Sequence, residues 1–359
     1  SGLLTGELES AYVFASGGST GEPKAAMHNH SHFPWNTERY AKGVLRLGPG
    51  DVTASAPKLF FGYATGTNLM FPFAVGAAAV LYEPLFSAEG MFRVIETYRP
   101  TVLSSLPSTI QQMLEGDSEG RRDLSSLRFT VSAGEALAPE LHRRWNESYG
   151  VEILDGLGSA EMFHIYVTNF PGRVVPGSLG RLGPGYDARV VDDEERPVAR
   201  GEVGTLWVKG ESALTGYYRS YAKTRRTLRG EFVVTGDHVR EDEDGNFWYA
   251  GRADDLFKVR GRYVSPLEVE NRMLEHPGVS QVAVVGADGP DGVPICKAFV
   301  VPTPGVEGTA RLSAEIVQHT AGALDRYKVP SEIVFLTELP RTANGKVQRQ
   351  ALRSQAGTR

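Results

Sequence analysis

The stretch LRFTVSAGEALAPELHRRWNESYG, Leu127–Gly150, sets the tightest limit on the fold. An apolar run passes through small residues into a helical pattern that Gly150 closes. RPTVLSSLPSTIQQML, Arg99–Leu114, has the same order of strand, loop and helix, with Pro107 and Ser108 at the helix start. VEILDGLGSAEM, Val151–Met162, supplies a third strand and loop. Strands alternating with helices require a mostly parallel sheet. Ligands bind such sheets at the carboxyl ends of the strands.

The texture changes near Pro171. GSLGRLGPGYDARVVDDEERPVARGEVGTLWVKG, Gly177–Gly210, has short β-branched runs broken by Gly, Pro and acidic turns, the pattern of a small antiparallel barrel or sandwich. Glu241–Gly261 continues it, with a hairpin signal at Asp244-Gly245. From Ser265 the order is helix, strand, loop, strand, then a helix near Ser313–Leu324 and the strand SEIVFL. The expected fold class is therefore α/β. A partial large domain, residues 1–253, carries the mostly parallel sheet and, over about 172–250, a small β-barrel-like subdomain; a small α+β C-terminal domain, 254–359, follows the boundary in GRADD.

Composition excludes several functions. The net charge of −5 gives no electrostatic footing for nucleic acid or an acidic membrane. The most apolar run, Leu69–Pro84, is too short to span a bilayer and is broken by Pro and Gly, so it reads as a buried helix leading into a strand. The N-terminus has neither the basic start nor the apolar stretch of a signal peptide. The single cysteine, Cys296, rules out an intrachain disulfide framework and a cysteine zinc cluster and fits a reducing, cytoplasmic setting.

SGGSTGEPK, Ser16–Lys24, is not a Walker A sequence. Gly17, Gly18 and Gly21 let backbone N–H groups approach phosphate oxygens, Ser16, Ser19 and Thr20 add hydroxyls, and Lys24 adds charge. Taken alone, the loop reads equally as a surface turn.

The loop does not stand alone. SGGSTGEPK, LDGLGSAE, TGD, YAGRADDLFKVRG and PRTANGKVQR follow one another over more than three hundred residues. Together they resemble the adenylate-forming superfamily of acyl- and aryl-CoA ligases, luciferases and peptide-synthetase adenylation domains. APKLFFGYATGTNLMFPF, EILDGLGSAEMFHIYVTN, GEFVVTGD and DDLFKVRGRYVSPLEVE resemble its benzoate-CoA ligase branch.

The resemblance implies an AMP-forming acid–thiol ligase that uses ATP, Mg2+ and coenzyme A on a small aromatic acid. Ser16–Lys24 would hold the departing pyrophosphate and Glu161 the Mg2+. Gly134, Glu135 and Ala136, with Asp155, Gly156 and Leu157, would line the adenine. Asp237 would take the ribose hydroxyls and Arg252 the ribose or α-phosphate. Lys346, on the small domain, would stabilise charge at the α-phosphate. Asp254 matches the hinge about which the mobile small domain turns, and Lys258 and Gly261 would line the thiol tunnel. Gly62, Tyr63, His164 and Ile165 would face the acid, with His164 reading equally as a core histidine. Lys58 is near in sequence and could pair with a carboxylate, or be solvated.

Three departures stand out. The phosphate loop begins fifteen residues in, whereas the family's large domain normally begins well before it; the expectation is a fragment, a proteolysed product or a naturally shortened member, with apolar surface exposed unless another chain, a partner segment or a changed fold covers it. Ala160 stands where a threonine usually precedes the glutamate, and Gly17 and Ala25 replace the usual Ser and Gly. Carrier-protein loading, a non-thiol acceptor and a non-catalytic nucleotide- or acid-binding remnant remain as alternatives.

Overall fold

The computed structural model describes residues 10–17, 23–117, 119–252, 255–289, 292–341 and 347–357. The chain divides into two compact units, Ser1–Tyr249 and Ala250–Arg359.

The first unit opens with strands β1 (Ser10–Gly17), β2 (Pro23–Asn29), β3 (Val52–Ser55), β4 (Ala78–Val80), β5 (Val102–Ser105), β6 (Phe129–Ala133), β7 (Glu152–Gly158), β8 (Ile165–Thr168) and β9 (Arg181–Leu182). Seven of them form one sheet in the order β4-β3-β5-β6-β7-β8-β9. Pairing is parallel from β4 to β7 and antiparallel at β7–β8 and β8–β9. Helices Ala88–Tyr98, Pro107–Gly116 and Pro139–Tyr149 alternate with these strands. Their ends obey local chemistry. Ser87 accepts from the Gly90 N–H, proline takes the first helical position of the next two, and Gly150 ends the last at φ 65°.

Adjacent strand residues point to opposite faces. Leu103 and Ile153 join Met91, Ile95, Ile110 and Trp145 on one side. Val102, Val131 and Leu154 join Tyr40, Phe71 and Phe163 on the other. Both faces are covered, which is why these strands are apolar throughout. The run Leu69–Pro84 does pass from helix, ending at Ala74, into β4.

The β-rich part contains β10 (Asp187–Val191), β11 (Val203–Lys209), β12 (Gly216–Tyr217), β13 (Leu228–Arg229), β14 (Phe232–Glu241) and β15 (Phe247–Arg252). The sheet β10-β11-β14-β13, with β15 on β14, buries Leu206, Val208, Val233 and Val239 together with Tyr166 and Val167 of β8. β12 pairs instead with β2, making the three-stranded sheet β1-β2-β12. The Asp244-Gly245 turn is a five-residue loop rather than a two-residue hairpin. Its Asp242 carboxylate accepts from the backbone N–H groups of Asp244 and Asn246 and from the Trp248 indole.

The second unit holds a hairpin of β16 (Phe257–Val259) and β17 (Arg262–Val264), helix Pro266–Leu274, strands β18 (Val279–Asp288) and β19 (Pro294–Pro302), helix Ala310–Ala321, β20 (Glu332–Phe335) and helix Arg349–Gly357. β18 and β19 are antiparallel, β19 and β20 parallel. Among the described residues no helix is long and apolar enough to cross a membrane.

Candidate active site

β1 and β2 form an antiparallel pair with Ser16 opposite Lys24 and Gly17 opposite Pro23. The glycine-rich stretch thus joins two paired strands. Gly18, Ser19, Thr20 and Gly21 lie outside the described residues, as do Asp254 and Lys346.

Glu161 sits in a one-turn helix, Ala160–Met162, held from β2, from β12 and from the loop that precedes β12. His28 of β2 lies with Nε2 2.6 Å from the Ala160 carbonyl. Leu214 N–H donates to the Glu161 carbonyl at 2.7 Å and the Ser212 hydroxyl to the Met162 carbonyl at 2.9 Å. The Tyr217 hydroxyl, from β12, donates to Glu161 Oε1 at 2.5 Å. Among the described residues no group of three or more His, Cys, Asp or Glu could cage a metal. A lone hard carboxylate still suits Mg2+, which takes one or two protein oxygens and completes its shell with phosphate and water. Glu161 fits that role, and the donors around it leave its second oxygen outside the Tyr217 bond.

The adenine candidates follow β6 and β7. Gly134 turns the chain at φ 87° after β6. The Glu135 carboxylate accepts the Ser108 N–H at 2.9 Å and its hydroxyl at 3.1 Å, so it caps helix Pro107–Gly116 at the positive end of that helix. The Glu135 side chain is therefore engaged, and Ala136 follows it, half-buried. A Cβ on Gly156 would lie 2.7 Å from the Val167 carbonyl, so only glycine admits the close approach of β8. Leu157 is half-buried beside it. Asp155, in register with Ser132 of β6, is buried with Oδ1 unpartnered, and burial pushes its carboxyl up to about 8.

The four acid-facing candidates come together. Gly62 starts helix Gly62–Thr65, and the Tyr63 hydroxyl donates to the Val131 carbonyl at 2.9 Å. His164 Nε2 donates to the Tyr63 carbonyl at 3.2 Å, which leaves Nδ1 unprotonated, buried and unpartnered. The rings of Tyr40 and Phe71 lie 5.0 and 4.9 Å from it, and desolvation pulls its pKa down to about 4. His164 is thus a neutral buried histidine seated on Tyr63. Ile165 packs in the same cluster. Among the described residues Lys58 forms no ion pair with a carboxylate: its ammonium donates to the carbonyls of Tyr82, Glu83 and Pro84 and lies 4.6 Å from the Tyr82 ring.

Asp237 is buried on β14. Its N–H donates to the Thr235 hydroxyl at 3.0 Å, and its Oδ1 accepts from the Tyr249 hydroxyl at 3.2 Å. Arg252 ends β15, in the second unit. There, Lys258 lies over the Tyr263 ring at 4.5 Å and lines an open cleft of about 360 Å³. Arg260 and Gly261, at φ 50° and 79°, make the two-residue turn between β16 and β17. That conformation is what requires Gly261.

Sequence reasoning did not single out His28, His32, Tyr217 or Tyr249. Their only sequence signals are the alternating histidines of HNHSH and tyrosines inside strands, which a core would also use.

The chain is similar to known proteins. Residues 6–218 match the family model described as AMP-binding enzyme, and 268–346 that of the AMP-binding enzyme C-terminal domain. It is 40% identical over 340 residues to a benzoate–CoA ligase of Thauera aromatica, covering 94% of this chain and 64% of the relative. The solved anthranilate CoA ligase AuaEII in complex with anthranoyl-AMP superposes with a TM-score of 0.94 at 39% identity, over 98% of this chain and 68% of that one. A benzoate CoA ligase from Burkholderia xenovorans LB400 gives a TM-score of 0.91 at 39% identity, over 98% and 70%.

Proposed function

The chain belongs to the AMP-binding enzyme family, and from that membership we propose that it activates an aromatic carboxylic acid with ATP and passes the aryl group to coenzyme A. A carboxylate oxygen attacks the α-phosphorus, the bond to the β-phosphate oxygen breaks, and pyrophosphate leaves. The thiol sulfur then attacks the mixed-anhydride carbonyl, loses its proton and expels AMP.

The observation that carries this reading is the bond between His28 and Ala160. It ties the strand after the glycine loop directly to the turn that bears Glu161. In the proposed assignment Ser16–Lys24 cradle the β- and γ-phosphates, with Gly17, Gly18 and Gly21 admitting close backbone approach. Glu161 would hold Mg2+, which when bound offsets phosphate charge. Asp237, already fixed by Tyr249, accepts from the ribose hydroxyls. Lys346 meets the α-phosphate, and Arg252 the ribose or α-phosphate. Gly62, Tyr63, His164 and Ile165 border the ring of the acid. Residues 1–253 would act as the adenylation domain and 254–359 as a C-terminal domain turning about Asp254. A cytoplasmic setting belongs to the same proposal.

Support for an aryl substrate comes from the aryl-acid ligases to which the chain is similar. The test is carboxylate-dependent ATP–pyrophosphate exchange with Mg2+ across substituted benzoates. Exchange with one acid, followed by its consumption on adding coenzyme A, is the expected result. An adenylate that persists with coenzyme A present would assign a carrier protein or non-thiol acceptor. A folded sample that binds ATP and exchanges with no acid would sink the proposal.

A further inference from the structure

We propose that Tyr217 and His28 are positioning residues for Glu161, aiming its second carboxylate oxygen at a divalent cation held on a nucleotide triphosphate. This rests on the reading of Glu161 as the cation's carboxylate.

The turn bearing Glu161 cannot hold itself. It has three residues, and Phe163, directly after it, sits at φ 72° and ψ −49°, a conformation that a bulky residue adopts only when its surroundings impose it. Two rings wedge Phe163 in place edge-on, Phe14 at 5.2 Å and His28 at 5.6 Å. His28 therefore fixes the turn twice, through its ring and through its bond to the Ala160 carbonyl. Ala160 has only a methyl, so no side-chain hydroxyl of its own anchors the turn.

The hydrogen bonds set the tautomers. A carbonyl can only accept, so His28 Nε2 carries the proton. His28 Nδ1 then accepts, and His32 Nδ1, 2.9 Å away, must donate to it. Both rings are buried, which favours the neutral forms this chain of donors requires. His32 thus holds His28 in the tautomer that grips Ala160.

Tyr217 acts on the carboxylate itself. Its hydroxyl donates to Oε1, which restrains rotation of the carboxylate and directs Oε2 away from that bond. A neutral hydroxyl orients an anion without cancelling its charge, as an arginine or lysine would. Partners of this kind change metal affinity when removed even though they never touch the metal.

The experiment measures Mn2+ binding in the presence of a non-hydrolysable ATP analogue, following free Mn2+ by electron paramagnetic resonance. Nucleotide binding in EDTA and the thermal midpoint are recorded alongside. Tyr217→Phe and His28→Leu are expected to weaken Mn2+–nucleotide binding about tenfold, with binding in EDTA unchanged. His28→Gln, whose amide can donate to the same carbonyl, should regain most of the loss. If His28→Leu does not fold, Tyr217→Phe, which deletes one oxygen, decides. Unchanged Mn2+ affinity in Tyr217→Phe while Glu161→Gln loses it would overturn this inference alone. Unchanged affinity in Glu161→Gln would overturn both it and the assignment beneath it.

Discussion

Glu270 and Arg349 form a two-pronged ion pair inside the second unit, with Nη1 2.5 Å from Oε1 and Nη2 2.9 Å from Oε2. Glu270 also accepts the Val284 N–H at 2.6 Å, and Arg349 donates to the Val284 carbonyl at 2.9 Å. One point thus joins helix Pro266–Leu274, β18 and the start of helix Arg349–Gly357. Arg349 lies three residues after Lys346, so the pair fixes where the chain leaves the segment that carries that lysine.

Breaking such a pair from one side is expensive because the other charge stays buried. Arg349→Met should destabilise the second unit by about 3–5 kcal/mol, whereas Arg349→Met with Glu270→Met together should recover much of it. All four tryptophans, Trp35, Trp145, Trp207 and Trp248, lie in the first unit, so their fluorescence does not report this loss. Amide hydrogen exchange in β18 and β19 does. Equal protection in Arg349→Met and the parent chain would show that the pair adds nothing.

The sequence made the alternating strands and helices of the first unit legible because each carries its own punctuation. Pro107, Pro139 and Gly150 start or stop helices by local backbone preference alone. The order of the motifs also singled out Glu161 and Asp237 as candidates. What it could not reveal was their partners. Tyr217 is 56 residues from Glu161 and His28 is 132 from Ala160, and they meet only through tertiary packing of the sheet β1-β2-β12 against the turn Ala160–Met162. Gly261 shows the reverse limit. Its glycine is explained by a turn at φ 79°, a local need that the tunnel reading had not used.

Asp155 gives a pH prediction with an unusual sign. Its carboxyl is raised from 3.8 to about 8 by burial. Between those values the folded chain keeps a proton that the unfolded chain has lost. The stability linked to this group is full below the unfolded value and is lost as pH rises towards 8, by at most about 1.4 kcal/mol per pH unit. Asp155→Asn removes that dependence. Urea unfolding of parent and variant at pH 5, 6, 7 and 8 should show the parent losing stability relative to the variant. Parallel curves would mean that Asp155 is ionised in the folded chain.

His164 opposes Asp155 over part of the same range. Desolvation lowers its pKa from 6.5 to about 4, as it does for His32. In between, the unfolded chain takes up a proton that the folded chain refuses. This stability is full above 6.5 and lost as pH falls towards 4, again by at most about 1.4 kcal/mol per pH unit for each ring. His164→Leu should therefore flatten the acid limb, while Asp155→Asn should steepen it. The double variant should leave the slope that the other desolvated histidines, His28, His32, His142 and His276, supply. An acid limb unchanged by His164→Leu would contradict a neutral His164.

Two nearby glycines separate packing from selectivity. A Cβ on Gly66 would lie 2.5 Å from His164 Cδ2, so Gly66→Ala must displace the buried ring, at a cost of about 1–3 kcal/mol. A Cβ on Gly62 would meet the Phe14 ring at 3.4 Å, an ordinary contact. Gly62→Ala should then stay within about 0.5 kcal/mol of the parent in stability. If Gly62 borders the acid, its added methyl takes space from a ring substituent and leaves benzoate itself unaffected. The ratio of kcat/KM for benzoate over the preferred substituted acid should rise by about tenfold or more. The ratio is measured by pyrophosphate exchange on samples matched for thermal midpoint. If it does not move while stability holds, Gly62 does not border the ring of the acid.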